Sequence, residues 1–360
     1  MTIPLTLYVD PAWRREVAAH TPLLYPFWGN ALSDNTPFHK ALFERYSLDV
    51  SLYGITDDAS QADMVLMPYS HNVALAKFPG LIDECAVRAS ALGKLLLIDG
   101  VGDIEHSVSV PHAVVLRYGG YRFKGDPREI HVPPYADDLL ERYCNGELSV
   151  RGKGQTPVVG FAGWASSTPW QFAKTYIKEL PMRLYACADT RYRACKKGIF
   201  FRRRVLSLVR ASKDVSANII ERQSYSGHRE TAVDVPEELR REFVENLLGS
   251  DYCLDVRGDA NASTRLFEIL SMGRIPVIID TERNFPFSDY IDYRTFSLVV
   301  DFRELDALPE RVVQFHAQVS PERFREMQRA AREAYTKYFR VDSLMTHLVP
   351  ELRKRMHSHD

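Results

Sequence analysis

The residues of clearest chemical potential in the 360-residue sequence are an arginine and a glutamate three positions apart, Arg265 and Glu268. This spacing places both side chains on one face of a helix. An arginine can bind a phosphate through two parallel hydrogen bonds, and a carboxylate one turn further on can accept hydrogen bonds from a ribose diol. The pair therefore predicts a site for a nucleoside diphosphate.

The stretch from Ser250 to Asp280 has the pattern of a strand, a loop, a helix and a second strand, which would position this pair. Gly258 lies in the loop, where a glycine permits a turn or the close approach of a ligand. Asn261 or Ser263 can cap the helix, and a helix N-terminus attracts anions through its N–H groups and its dipole. We therefore add Gly258 and Ser263 to the candidate ligand-binding residues.

Several short motifs with fixed spacing follow one another in this region. They are Ser-x-Tyr-Cys-Leu from Ser250, Ser-x-Arg-x-x-Glu from Ser263, Gly-x-Ile-Pro-Val-Ile-Ile from Gly273 and Phe-Pro-Phe at 285–287. Together they resemble the C-terminal signature of the exostosin-like glycosyltransferases, glycosyltransferase family 47. The alternative is any βαβ unit of a Rossmann-like domain, with the arginine and the glutamate as a surface ion pair.

The resemblance implies an α/β fold of the GT-B type, in which two Rossmann-like domains face each other across a cleft. It also implies transfer of a hexosyl or related sugar from a nucleotide donor, with inversion at the anomeric carbon. A UDP-sugar is the favoured donor class and a GDP-sugar the second. The acceptor would be a hydroxyl of an oligosaccharide or glycan, as in polysaccharide biosynthesis.

The length of the chain favours two domains, because single hydrophobic cores stop growing below this size. We predict an N-terminal acceptor-binding Rossmann-like domain over residues 1–150 and a C-terminal nucleotide-sugar-binding Rossmann-like domain over residues 151–335. A last helix over residues 336–360 can pack back on the first domain. Residues 146–155 contain three glycines among charged residues, a composition typical of a linker.

Two further candidate donor contacts precede the stretch from Ser250 to Asp280 in the sequence. Residues 158–163 predict a buried strand that ends in a glycine loop, and the resemblance implies that Gly163 lets this loop approach the donor phosphates. A plain tight turn is the alternative. Three arginines at 202–204 open a helical segment, and the resemblance implies that one of them reaches the diphosphate. We choose Arg204, against the alternative of a solvated basic face.

Glycosyl transfer also needs a general base to take the proton of the acceptor hydroxyl. A predicted strand at 94–98 leads into a loop with Asp99 and Asp103, followed by His106. Ligands of parallel α/β sheets bind at such carboxyl ends. We rank Asp103 first because it lies in a glycine-flanked loop, with Asp99, His106 and also His71 as alternatives. Each of them could equally be a surface or capping residue.

Other chemistries lack their motifs. The sequence has no Asp-x-Asp triplet, the metal-chelating motif typical of GT-A enzymes, so we expect a metal-independent reaction with no cofactor besides the nucleotide-sugar substrate. It has no Gly-x-x-x-x-Gly-Lys-Ser/Thr of a P-loop kinase and no Gly-x-Gly-x-x-Gly of a dinucleotide enzyme. His and Cys do not occur at zinc-ligand spacing. A catalytically inactive nucleotide- or glycan-binding module of the same fold stays open, and donor hydrolysis or transfer would distinguish it.

Composition predicts the surroundings of the protein. The net charge of -1 and the pI near 6.8 give no overall attraction to nucleic acid or to an anionic membrane. Five scattered cysteines without a Cys-x-x-Cys motif indicate a reducing compartment. No apolar run reaches the roughly 18 residues of a membrane span, and the N-terminus lacks a signal-peptide core. We therefore expect a cytoplasmic location and no integral membrane segment.

Overall fold

The structure, a computed structural model, describes residues 4–15, 19–29, 42–102, 106–165, 168–222 and 237–358. Within these residues the chain forms two separate parallel β-sheets. The expected α/β fold with two Rossmann-like units is thus confirmed.

The first sheet has six strands in the order β2-β1-β3-β4-β5-β6, and every neighbouring pair is parallel. Its strands are β1 Leu5–Tyr8, β2 Tyr53–Thr56, β3 Met64–Leu66, β4 Leu96–Asp99, β5 Ala113–Arg117 and β6 Glu129–His131. The central strands are buried along their whole length, which explains their nearly continuous apolar sequences.

The second sheet has five strands in the order β11-β10-β9-β7-β8, again all parallel. Its strands are β7 Val158–Trp164, β8 Ser216–Arg222, β9 Tyr252–Asp255, β10 Ile275–Asp280 and β11 Leu298–Asp301. The strand order reverses between β7 and β9. In an open α/β sheet, the carboxyl ends of the strands at such a reversal form the crevice in which ligands bind.

Helices cover both sheets and connect the strands. In chain order they are α1 Tyr25–Trp28, α2 His71–Lys77, α3 Leu81–Ala91, α4 Leu139–Cys144, α5 Pro169–Lys178, α6 Leu180–Ala188, α7 Gly198–Ala211, α8 Glu237–Leu248, α9 Thr264–Ser271, α10 Leu308–Gln318, α11 Pro321–Ala334 and α12 Leu344–His357. Helix α12 packs on the core of the first sheet, and its Arg355 Nη2 donates to the carbonyl of Glu129 at 3.2 Å.

The two sheets meet through the loops at their carboxyl ends. Gly119, after β5, lies so close to Asn261 that an added Cβ would be 2.6 Å from the Asn261 carbonyl oxygen. An antiparallel bridge joins Tyr121 to Arg283, after β10. Glycine is therefore required at 119 by close backbone approach, and the contact places the carboxyl edges of both sheets against each other.

Helix α7 sits directly on the loop that follows β9. An added Cβ at Gly198 would be 2.3 Å from the carbonyl oxygen of Arg257 and 2.2 Å from that of Gly258. Both obstacles are backbone atoms, which cannot rotate away as a flexible side chain can. The first residue of α7 thus fixes how closely this helix approaches the sheet edge.

We expect Gly198→Ala to lower the free energy of unfolding by about 1–3 kcal/mol, because a methyl group would be forced into backbone atoms. Chemical denaturation of the variant and the wild type measures the difference. Gly152→Ala is the matched control, since nothing lies within 4 Å of an added Cβ there. Equal stability of the Gly198→Ala variant and the wild type would contradict the close packing.

Candidate functional site

An arginine lies at the strand-order reversal of the second sheet. The Arg202 side chain is 5% exposed; its Nη1 donates to the carbonyl of Trp164 at 3.0 Å, and its Nε donates to the carbonyl of Val256 at 3.3 Å. Trp164 ends β7, and Val256 follows β9 directly. Arg202 therefore bridges the two strand ends between which a ligand crevice is expected.

Arg204, the arginine chosen from the sequence, does not lie at these two strand ends. Arg204 forms an exposed ion pair with Asp306, and the structure does not bring it to the strand ends. The residue that does so is Arg202, because it lies three positions after Ile199 and three before Val205, on the buried face of α7. Helical periodicity could have identified Arg202, because the other two arginines of the triplet do not lie on that apolar face.

Arg265 and Gly163, each a candidate donor contact from the sequence, lie against each other. Arg265 Nη1 donates to the carbonyl of Ala162 at 2.7 Å, and its guanidinium lies over the ring of Phe161 at 4.3 Å. An added Cβ at Gly163 would be 2.4 Å from Arg265 Nη2. The absence of a side chain at 163 thus makes room for the guanidinium at the end of β7.

Glu268 lies one turn further along α9 and is 8% exposed. Its Oε1 accepts a hydrogen bond from Arg240 Nη2 at 2.7 Å, a partner on α8 that the sequence did not indicate. Burial lowers the pKa of Arg240, but the charge and the hydrogen bond of Glu268 outweigh it and leave this pKa raised. The Arg240 guanidinium thus holds the Glu268 carboxylate in place, one turn from Arg265.

The sequence offers Asn261 or Ser263, in the loop before α9, as the cap of this helix, and the structure distinguishes between them. Ser263 holds the N-cap position of α9, and its side chain makes no capping hydrogen bond. Asn261 does not cap the helix, because its Nδ2 donates to the carbonyl of Gly120 at 2.8 Å. Gly258 lies against the site arginine, since an added Cβ there would be 3.5 Å from Arg202 Nη2.

In the first domain, Asp99 is a buried residue at the end of β4. It is 3% exposed and accepts hydrogen bonds from the Thr21 hydroxyl at 2.6 Å and from the Val101 N–H at 3.1 Å. Burial raises the pKa of this carboxyl group, and the two hydrogen bonds oppose the shift. Asp103, our first choice for the base, lies outside the described residues.

Arg117 anchors both ends of the loop that carries Asp103. Its Nη1 donates to the carbonyl of Gly100 at 2.9 Å, its Nη2 to the carbonyl of His106 at 2.6 Å, and its Nε to Glu129 Oε1 at 2.9 Å. The His106 side chain is exposed. The loop is thereby tied to the ends of β4, β5 and β6.

His71, the first residue of α2, is a further titratable group at this edge. It is 3% exposed, and its Nδ1 has no hydrogen-bond partner. Burial, followed by the charges of Arg117 and His106, lowers the pKa of His71. Its imidazole is therefore neutral at neutral pH and can accept a proton.

Three findings concern metals, membranes and thiols. Among the described residues, no group of three or more His, Cys, Asp or Glu side chains is placed to hold a metal ion. No helix in the described ranges is both long and apolar enough to cross a membrane. The five cysteines, all of which lie in the described ranges, form no disulfide.

Two parallel α/β sheets that meet at their carboxyl edges, with arginines at the strand-order reversal of the second, define a protein of GT-B architecture. Residues 184–315 match the family profile described as Exostosin GT47 domain. Over these residues the chain is similar to exostosin GT47 domains, which confirms the resemblance found in its sequence. The match includes Arg202, Ser263, Arg265 and Glu268.

Two curated relatives are similar over part of their length. The chain is 32% identical over 118 residues to the Exostosin-1 homolog of Caenorhabditis elegans, which is 32% of this chain and 30% of that protein. It is 30% identical over 106 residues to the probable arabinosyltransferase ARAD1 of Arabidopsis thaliana, which is 29% of this chain and 23% of that protein. The chain thus matches less than a third of either relative.

Solved structures are similar only remotely. A glycosyltransferase from Rickettsia africae ESF-5 gives a TM-score of 0.40 at 11% identity and covers 99% of this chain and 100% of that one. Anabaena Alr3699/HepE in complex with UDP-glucose gives a TM-score of 0.40 at 10% identity, with 97% and 99% covered.

A pH dependence of stability follows from His131, at the end of β6. Burial, together with the charges of Arg117 and Arg355, lowers the pKa of His131 to about 4, against the effect of a hydrogen bond to the Gly119 backbone. The unfolded chain, with a histidine pKa near ~6.5, then binds a proton that the folded chain does not. The free energy of unfolding should therefore fall by roughly 3 kcal/mol as the pH drops from about 6.5 to below about 4.

Denaturation of wild type and His131→Gln from neutral to acidic pH measures this contribution as the difference between their slopes. His357→Gln, at an exposed position near the end of α12, is the control and should keep the wild-type slope. Parallel stability curves for wild type and His131→Gln would show that His131 does not contribute.

Proposed function

We propose that this protein transfers a sugar from a nucleoside diphosphate donor to a hydroxyl of a glycan acceptor, with inversion and without a metal ion. A UDP-sugar is the proposed donor class, with a GDP-sugar second. The observation that carries the proposal is the convergence of Arg202, Arg265 and the N-terminus of α9 at the strand-order reversal of the second sheet. Each of these groups favours a bound anion.

The curated relatives support the same reaction class. One of them is named a probable arabinosyltransferase and the other an exostosin homolog. The matched exostosin domain spans residues 184–315, the region that carries the two arginines and Glu268. The proposed site and the sequence similarity thus fall on the same part of the chain.

The proposed mechanism divides the work between the two sheet edges. Arg202 and Arg265 would hold the diphosphate and stabilise the negative charge that it gains as the bond to the sugar breaks. Both are already oriented by backbone carbonyls of β7, at Trp164 and Ala162. Glu268 would accept hydrogen bonds from the ribose, and Ser263 would donate one to a phosphate oxygen.

The proton of the acceptor hydroxyl would pass to a base of the first domain as the hydroxyl oxygen attacks the anomeric carbon. Asp103, Asp99 and His106 remain the proposed candidates, and His71 has the neutral imidazole that the role requires. A cytoplasmic location is proposed with this reaction, supported by five described cysteines that form no disulfide.

We expect UDP to raise the melting temperature of the wild type by a few degrees, with and without a chelator, because it binds the native state alone. Arg265→Ala and Arg202→Ala should each weaken UDP binding roughly 10- to 100-fold, since each removes a charged hydrogen bond to phosphate. Thermal shift and calorimetry with UDP, GDP, CMP and ADP measure both effects.

Arg204→Ala is the matched control for this experiment. It removes the same side chain two positions from Arg202 in one helix, where the arginine is exposed and pairs with Asp306. It should keep wild-type UDP affinity. If no nucleotide stabilises the wild type, or if Arg202→Ala and Arg265→Ala bind as the wild type does, the proposed donor site is wrong and a non-catalytic module becomes the better interpretation.

A second experiment tests the base. We expect Asp103→Asn to slow donor hydrolysis or transfer about 100-fold or more, because general base catalysis supplies roughly 10²–10⁴ in rate. The UDP-induced thermal shift should persist, since this residue lies in the other domain. Wild-type turnover by Asp103→Asn would exclude it, and the same assay on Asp99→Asn, His106→Gln and His71→Gln would then find the base. Loss of UDP binding would instead indicate a structural defect.

A further inference from the structure

Helices α5 and α6 form an exposed apolar surface between β7 and α7. Eleven large hydrophobic side chains are exposed in the described part of the chain, and six of them lie on these two helices. We call these six the outer patch: Trp170, Tyr176, Ile177, Leu180, Leu184 and Tyr185. Trp170 is 78% exposed and Leu184 is 72% exposed, more than any of the other nine.

The opposite face of the same helices is already packed. Phe172 lies 5.0 Å from the ring of Phe200 on α7, and the Arg183 guanidinium lies over the same Phe200 ring at 5.0 Å. Glu179 and Ala186 are buried on this inner face. The helices are thus held to α7 on one side, and the apolar residues of the other side face solvent.

The exposed residues follow helical spacing. Trp170, Ile177 and Leu184 are seven positions apart, so they lie on one side of the two nearly continuous helices. Lys174 and Lys178 are exposed beside them. Long lysine side chains can keep their charge in water while their methylene groups cover an apolar surface.

The segment is strongly basic in a chain of nearly balanced charge. Residues 169–197 contain seven basic and two acidic residues, whereas the whole chain has a net charge of -1. One acidic residue, Glu179, is buried on the inner face, and the other, Asp189, pairs with Arg191 at 2.7 Å. The surface around the outer patch therefore presents positive charge.

We propose that the outer patch binds the protein to the surface of a membrane that contains anionic lipids. A helix with Trp and aliphatic residues on one side and lysines beside them lies in the plane of a lipid interface, with its apolar side among the acyl chains. Basic residues add attraction to anionic headgroups. This inference rests on the patch alone and goes beyond the proposed function.

The charge of the segment argues against a second copy of this chain as the occupant. In a twofold dimer the same surface lies opposite itself. The exposed Lys174 and Lys178 beside the patch of one copy would then lie opposite those of the other copy, and juxtaposed like charges oppose association. An anionic lipid surface supplies the opposite charge and the apolar environment together.

Vesicle flotation of the full chain tests the proposal. We expect the wild type to float with vesicles of phosphatidylcholine and phosphatidylglycerol, and much less with phosphatidylcholine alone. Ile177→Glu/Leu184→Glu should lower the partition coefficient at least tenfold, because it removes two apolar side chains from the lipid interface. Lys174→Gln/Lys178→Gln should lower it roughly tenfold on anionic vesicles, and added salt should weaken wild-type binding.

The control replaces two exposed apolar residues elsewhere by the same charge. Leu75→Glu/Val87→Glu changes residues on α2 and α3 that are 49% and 69% exposed, and it should float as the wild type does. Unchanged melting temperatures show that the variants are folded. The proposal is wrong if the wild type does not float with anionic vesicles, or if Ile177→Glu/Leu184→Glu floats equally well. It is also wrong if sedimentation shows that the patch joins two copies instead.

Discussion

A buried side chain, Asn261, helps to hold the two domains in their relative position. Its Nδ2 donates to the carbonyls of Gly120 at 2.8 Å and Thr281 at 3.1 Å, and its Oδ1 accepts from the Thr281 hydroxyl at 2.6 Å. The residue is 1% exposed, so each of these groups would otherwise be buried without a partner. This amide joins the loop after β5 to the loops after β9 and β10 and, together with the bridge between Tyr121 and Arg283, holds the two carboxyl edges against each other.

Helix α9 packs against both domains and carries two residues of the candidate donor site. Leu266, Phe267 and Leu270 belong to the hydrophobic cluster that contains the first sheet and α12, whereas Ile269 packs in a separate cluster with α4 and α8. The helix is therefore held from two sides by apolar packing. Its polar residues, Arg265 and Glu268, have partners within the second domain. Such fixed charges can stabilise a leaving group without reorganising during the reaction.

The local part of the site was predictable, and the long-range part was not. Arg265 and Glu268 could be predicted because a strand, a loop and a helix follow one another in the sequence. The order of these elements alone places both residues near a strand end. Arg202 was readable in principle from the apolar face of α7, although Arg204 was chosen. The contact of Asn261 with Gly120 joins residues 141 positions apart, and no local pattern encodes such a pairing. The partner of Glu268 lies on a different helix, α8, so no local pattern indicated it either.

Desolvation sets the chemistry of the first domain. It raises the pKa of Asp99 and lowers that of His71, so it disfavours the charged form of each group. Asp99 is also held by the Thr21 hydroxyl and could turn toward an acceptor only by breaking that hydrogen bond. Arg117 fixes Gly100 and His106, the described ends of the loop between them. Buried hydrogen bonds of Asp99 and Arg117 thus fix the carboxyl edge of the first sheet on both sides of this loop.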